Sequence, residues 1–208
     1  MLGEAGALVY CTGRSARGGP PSPGPHAARP ETIEETAALV DAAGGTGIPV
    51  RVDHGDESAV ATLAERVRHE RGTLDILVNV LGGPEVQERF QPMWTLGVEE
   101  GKRLFDAWLT PHVVTVRHLV PLMIHRSRER PGLVVEVVEG ETLGYAGHFY
   151  WDLVVTSLKR LAFGLAEELV PHRVAALAVA PGFMRTEAIL AHFGATDDSW
   201  REIAESSP

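Results

Sequence analysis

Lysine is nearly missing from this sequence: Lys102 and Lys159 are the only two among 208 residues. Cysteine is rarer still, with Cys11 alone. One thiol can neither close an internal disulfide nor supply a Cys-based zinc site, and such usage fits a reducing, cytoplasmic location. Cys11 itself reads as a small apolar residue of a strand. No apolar run reaches the roughly 18 residues that a membrane helix needs. No charged leader precedes a hydrophobic region at the start, so no membrane is expected as a partner. The net charge of -9 argues against nucleic acid, because phosphate-binding surfaces need clustered Lys and Arg. GxSxG elbows, HExxH helices and GxGxxG or Walker-type phosphate loops do not occur. The nine histidines are scattered without metal-ligand spacing, so no metal is expected.

What is present is alternation of two hydrophobic periods. With 44% hydrophobic and 23% charged residues, the chain suits one domain over 1–208. "GALVYCTGRS" is a short apolar β-type run, and "RGGPPSPGPHAARP" after it is loop by composition. "PETIEETAALVDAAGG" carries Pro30 and acidic residues at its start, apolar Ile33, Ala37 and Val40 at helical spacing, and a Gly44-Gly45 stop. A strand "IPVRVDHGD", an amphipathic helix "ESAVATLAERVRHERG" and a nearly continuous buried strand "LDILVNVLGG" follow. Next come a long helix from about Gly97 to Arg126, bent near Pro111, the strand "GLVVEVVEG", a helix from about Phe149 to Leu169 and the strand "RVAALAVAPG". Apolar strands separated by helices indicate an α/β fold, a doubly wound parallel sheet with helices on both faces.

The landmarks "TGRS", "VDHGD", "ILVN" with "GG", "LVPLM" and "APGFMRTEA" occur in an order and spacing that resemble the short-chain dehydrogenase/reductase family over nearly the whole chain. The resemblance implies a Rossmann-like sheet of strand order 3-2-1-4-5-6-7, binding NAD or NADP at the carboxyl ends of the strands. Small carbonyl or alcohol substrates are then expected, with a possible homo-oligomer through the two long helices. It also implies cofactor-binding roles for particular residues. Arg14 suits the 2′-phosphate of NADP, Asp53 the adenine ring, and Asn79 with Gly82 the lining of the cofactor site. Pro181, Gly182 and Thr186 are implied beside the nicotinamide.

Two departures stand against that pattern. The opening "MLGEAGALVY" is similar to the last turn of the helix after the family's first strand, followed by its second strand. The first strand and its Gly-rich phosphate loop are therefore expected to be missing from the sheet. At the other end, "DDSWREIAESSP" resembles the start of a helix that relatives follow with a last strand. The second departure is chemical. Laying "SLKRLAFGLAEEL" on the family pattern puts Trp151 at the catalytic tyrosine and Val155 at the lysine. Tyr150 as the tyrosine would put Val154 at the lysine position, and Tyr145 with Phe149 fails in the same way. The family's serine falls at Val138 or Glu139 and its helix asparagine at Trp108. Indole exchanges no proton near neutral pH and valine carries no charge, so the catalytic set is expected not to be intact. Glu139, Glu141, His148 and Tyr150 are the polar groups nearby that offer a substitute acid/base. The alternative to an impaired oxidoreductase is a non-catalytic homologue that acts as an interaction module.

Overall fold

The computed structural model describes residues 1–19, 32–82, 91–124, 130–138, 145, 147–182, 190, 194–196 and 199–201. Strands β1 (Leu8–Gly13) and β2 (Thr46–Arg51) pair in parallel, with Leu8 opposite Thr46 and Gly13 opposite Arg51. Strands β3 (Ile76–Asn79), β4 (Gly132–Val137) and β5 (Val174–Val179) form a second parallel sheet in that order. Among the described residues β1 and β3 share no ladder, so the strands stand in two groups.

The helices between them follow the order expected from the sequence. Helix α1 (Ile33–Ala42) starts later than Pro30 suggests, because the Thr32 hydroxyl caps it by accepting from the Glu35 N–H at 3.3 Å. Helix α2 (Glu57–Arg71) is capped by the Asp56 carboxylate and stopped by Gly72 in the left-handed region, φ 73. Helix α3 (Val98–Leu104) passes through a π turn (Phe105–Leu109) into α4 (Thr110–Leu119), and α5 (Pro121–Ile124) follows. The bend expected near Pro111 is this π turn. Proline has no N–H and its ring crowds the carbonyl four residues back, so the turn before it widens. The Thr110 N–H accordingly bonds to the Phe105 carbonyl, five residues back. Helix α6 (Phe149–Glu168) lies between β4 and β5 in the chain.

Helices cover both faces of the first sheet. On one side Tyr10 donates to Glu70 of α2 at 2.6 Å. On the other, Gly13 and Gly47 lie against Ile33 and Ala37 of α1, and a Cβ on Gly47 would come 2.2 Å from the Ala37 carbonyl oxygen. A continuous core then joins the two sheets without a hydrogen-bond ladder. It packs Val60, Leu63 and Val67 of α2 and Val116 and Leu119 of α4 on Leu77 and Val134, and it reaches Tyr10 and Val50. Each such aliphatic side chain contributes about 1.5–3 kcal/mol on burial. Strand β3 differs from the expected continuous buried run, for it spans four residues and alternates. Leu77 and Asn79 turn into the core, while Ile76 and Val78 on the opposite face are 40% and 45% exposed. Among the described residues no helix is long and apolar enough to cross a membrane.

Candidate functional site

At the carboxyl ends of the strands the structure brings together three residues that the resemblance sets at catalytic positions, Val138 as one of two alternatives with Glu139. Trp108 comes from the π turn, Val138 from the end of β4 and Trp151 from the first turn of α6. They share one apolar cluster with Leu104, Val154 and Leu158. The two indoles meet edge to face, ring centroids 4.7 Å apart and planes at 88°, an arrangement that sets the positive ring edge on the negative face. Among the described residues the buried Trp108 Nε1–H has no hydrogen-bond partner. An orphaned donor costs about 1–3 kcal/mol, so among these residues the ring is held by packing. Val155 is buried on α6 as well, at 9% exposure. None of these four side chains can donate and recover a proton at a substrate oxygen.

Of the polar groups named as substitutes, Tyr150 and His148 lie within the described residues. Tyr150 packs edge-on against Phe105 and Phe149, with centroids 6.5 and 5.6 Å away. Its ring also fills the space a side chain on Gly101 would need. Tyr145 is 61% exposed, and His148 sits at the start of α6 without capping it through its side chain. Glu139 and Glu141 lie outside the described residues, as does Thr186.

The residues expected to hold the nucleotide are distributed along the same edge. Arg14, just past β1, donates from Nη2 to the Gly82 carbonyl at 3.4 Å, which links the ends of the two sheets. Gly82 is also pressed on Trp108, whose Cζ3 would lie 2.6 Å from an added Cβ. Asp53 is exposed and accepts from the Gly55 N–H at 2.9 Å, closing its own turn. Pro181 and Gly182 follow β5, and Gly182 has φ 68, a conformation glycine adopts without strain. The Asn79 side chain is turned inward: it is 1% exposed and donates to Glu136 Oε1 at 2.8 Å.

Sequence reasoning missed a layer of buried polar groups directly beneath this edge. His112 of α4, one turn after Trp108, meets Glu136 of β4, two residues before Val138, at 2.5 Å from Nδ1 to Oε2. Its other nitrogen, Nε2, lies 3.1 Å from the Leu81 carbonyl oxygen. Both side chains are fully buried. His54 bridges in the same layer, with Nδ1 2.7 Å from the Thr115 hydroxyl of α4 and Nε2 2.9 Å from the Thr12 hydroxyl of β1. Burial pushes the His54 pKa down; the neighbouring Asp53 charge opposes that, and His112 adds to it. Glu136 was the available signal, since a carboxylate within the apolar run "GLVVEVV" must find a partner if that run is buried.

A family model described as short chain dehydrogenase matches residues 26–193. The chain is similar to "Dehydrogenase/reductase SDR family member 1" of Homo sapiens, 27% identical over 196 residues, covering 92% of this chain and 57% of that protein. It is also similar to "Short-chain reductase protein NovJ" of Streptomyces niveus, 30% identical over 184 residues, covering 85% of this chain and 66% of that protein. The chain thus spans less than two thirds of the length of these curated relatives. Among solved structures, a metagenomic short-chain oxidoreductase in complex with NADP superposes with a TM-score of 0.68 at 24% identity, covering 95% of this chain and 83% of that one. At that identity the likeness is one of fold.

Proposed function

The chain belongs to the short-chain dehydrogenase family of oxidoreductases, and from that membership we propose that it keeps a nucleotide-binding edge while lacking the family's proton-transfer groups. The edge takes NADP in preference to NAD. Arg14 meets the 2′-phosphate, since a guanidinium matches phosphate geometry. Asp53 lies toward adenine, the backbone of Asn79 and Gly82 lines the cofactor, and Pro181 and Gly182 stand toward the nicotinamide, a role the resemblance also gives to Thr186. The residues described fit the adenosine half of such a cofactor and not its reacting half, where indole and aliphatic side chains occupy the places of acid and base. When bound, the nicotinamide supplies a hydride, but reduction of a carbonyl also needs a proton at its oxygen. Turnover of small carbonyl or alcohol substrates by the family route is therefore impaired.

The contact between Trp108 and Trp151 supports this reading, because two rings packed on each other at positions the resemblance makes catalytic offer neither acid nor base. Thermal unfolding with NADPH, NADH and no nucleotide tests the binding half. A ligand held only by the native state stabilises it by about 2.7 kcal/mol at 100 times its Kd. NADPH is expected to raise the midpoint more than NADH, and Arg14→Leu to erase that difference. Equal midpoints in all three conditions would overturn the nucleotide assignment.

A second reading, an oligomerisation module built on the long helices, is favoured by apolar side chains left at the surface. Val113 of α4 and Leu153 and Phe163 of α6 are 45%, 39% and 51% exposed. Sedimentation of Leu153→Glu/Phe163→Glu against the parent chain checks it, since the parent is expected to be the larger particle.

A further inference from the structure

We propose that His112, Glu136 and Asn79 form a buried proton-sharing triad that positions the Leu81–Gly82 turn at the edge of the site. The Leu81 carbonyl only accepts, so the His112 nitrogen 3.1 Å from it carries a proton and donates. On the other side of the ring, Nδ1 and Glu136 Oε2 are 2.5 Å apart and hold one proton between them. Whether that proton sits on nitrogen or oxygen, the pair is neutral as a unit. This is the condition under which two ionisable groups at 0% exposure are tolerated. The remaining carboxylate oxygen is satisfied by the Asn79 amide at 2.8 Å. Each member has a partner on a different element, β3, β4 or α4, and His112 reaches outward to the backbone of Leu81.

That outward bond gives the triad its role. The residue after Leu81 is Gly82, which accepts from Arg14 across the gap between the two sheets and lies against Trp108. Held from beneath by His112, from one side by Trp108 and from across by Arg14, the turn has a fixed position on the edge assigned above to the nucleotide. His112 acts through the turn and touches no reacting atom; it is a positioning residue. The consequence for nucleotide affinity rests on the proposed function, whereas the proton arrangement and the hold on the turn do not.

The test uses the full chain with ¹⁵N-labelled histidine. One histidine is expected to show an Nε2 proton protected from exchange together with a shared proton on the Nδ1 side shifted far downfield. Both signals should vanish in either His112 variant. The two variants separate the bonds by reach: His112→Asn carries its amide where Nδ1 is, and His112→Gln where Nε2 is. Amide exchange at residues 79–82 is expected to rise about tenfold or more in His112→Asn, with α2 still protected, and to return to within about threefold of the parent in His112→Gln. If His112→Asn does not fold, Glu136→Gln carries the test, for it should abolish the shared-proton signal and keep the Nε2 proton. An unprotonated Nε2 in the parent chain, or equal exchange at 79–82 in all variants, overturns the proposal. An NADPH titration on the same proteins separates the two claims. Where the parent binds, Kd should weaken about tenfold in His112→Asn, and an unchanged value contradicts the positioning role. Where the parent does not bind, the nucleotide reading fails, and the ring-proton and exchange results still decide the triad.

Discussion

Gly82 and Trp108 are in contact so close that the glycine has no room for a methyl group: an added Cβ would lie 2.6 Å from Cζ3 and 2.8 Å from Cη2 of the indole. The turn after β3 and the π turn before α4 are thereby locked together at the edge of the site. Overpacking of this kind costs about 1–3 kcal/mol. Gly82→Ala is expected to lower the urea midpoint accordingly, and Gly82→Ala/Trp108→Leu to recover part of the loss. Equilibrium unfolding of both variants checks the coupling; simple additivity of the two losses would contradict it.

A second close approach has less room to relax. The clash built on Gly47 is with the backbone of Ala37, at 2.2 Å from O and 2.6 Å from C. A ring can tilt, but a helix backbone has to move as a whole. Gly47→Ala should therefore destabilise more than Gly82→Ala, by about 3 kcal/mol or more, and should loosen α1 first. Hydrogen exchange resolved along residues 33–42 is the measurement.

His54 makes stability depend on pH. Burial lowers its pKa in the folded chain below the ordinary 6.5, with Asp53 opposing the shift and His112 reinforcing it. Between the lowered value and 6.5 the unfolded chain holds the proton and the folded chain does not. Stability linked to His54 is thus fully present above about 6.5 and declines as pH falls through that window, toward the lowered folded value. Urea unfolding of the parent and of His54→Gln between about pH 5 and pH 8 should show the steeper acid-side decline in the parent. Parallel profiles would remove His54 from the account.

Restoring two residue types does not restore a site. Trp151→Tyr/Val155→Lys supplies a tyrosine and a lysine where the resemblance sets the family motif, yet Trp108 and Val138 beside them still offer no acid or base. The second change also sets an ammonium at a position only 9% exposed, where the charged form is disfavoured. The double variant is expected to be less stable than the parent and to remain without measurable NADPH-dependent carbonyl reduction. A steady turnover from these two changes alone would show that Trp108 and Val138 do not matter.

How much of this was legible in the sequence depends on range. Helix α2 was readable at both ends because its signals are local: Asp56 caps the residues two and three ahead, and Gly72 supplies the left-handed stop. The start of α1 was misplaced by three residues because Pro30 is a permissive signal while the Thr32 hydroxyl makes the bond. The parallel pairing of the strands followed from apolar runs separated by helices. What could not be read were contacts between distant positions. Glu136 stood out by type, but its partners are 24 and 57 residues away, and no period marks them. The same holds for the positions that the resemblance makes catalytic. It set Trp108, Val138 or Glu139, and Trp151 there one by one, and only the fold puts Trp108, Val138 and Trp151 into one apolar cluster with each indole packed on the other.

The central claim is that the chain holds a nicotinamide nucleotide without passing its hydride on. The measurement that tests it most directly follows deuterium from C4-deuterated NADPH, at a concentration shown to raise the unfolding midpoint, into a panel of small ketones and aldehydes. The account predicts no deuterated alcohol above the protein-free control. Deuterated alcohol that forms with the parent chain and is lost in Tyr150→Phe would contradict it, and would make Tyr150 the acid that the family places one residue later.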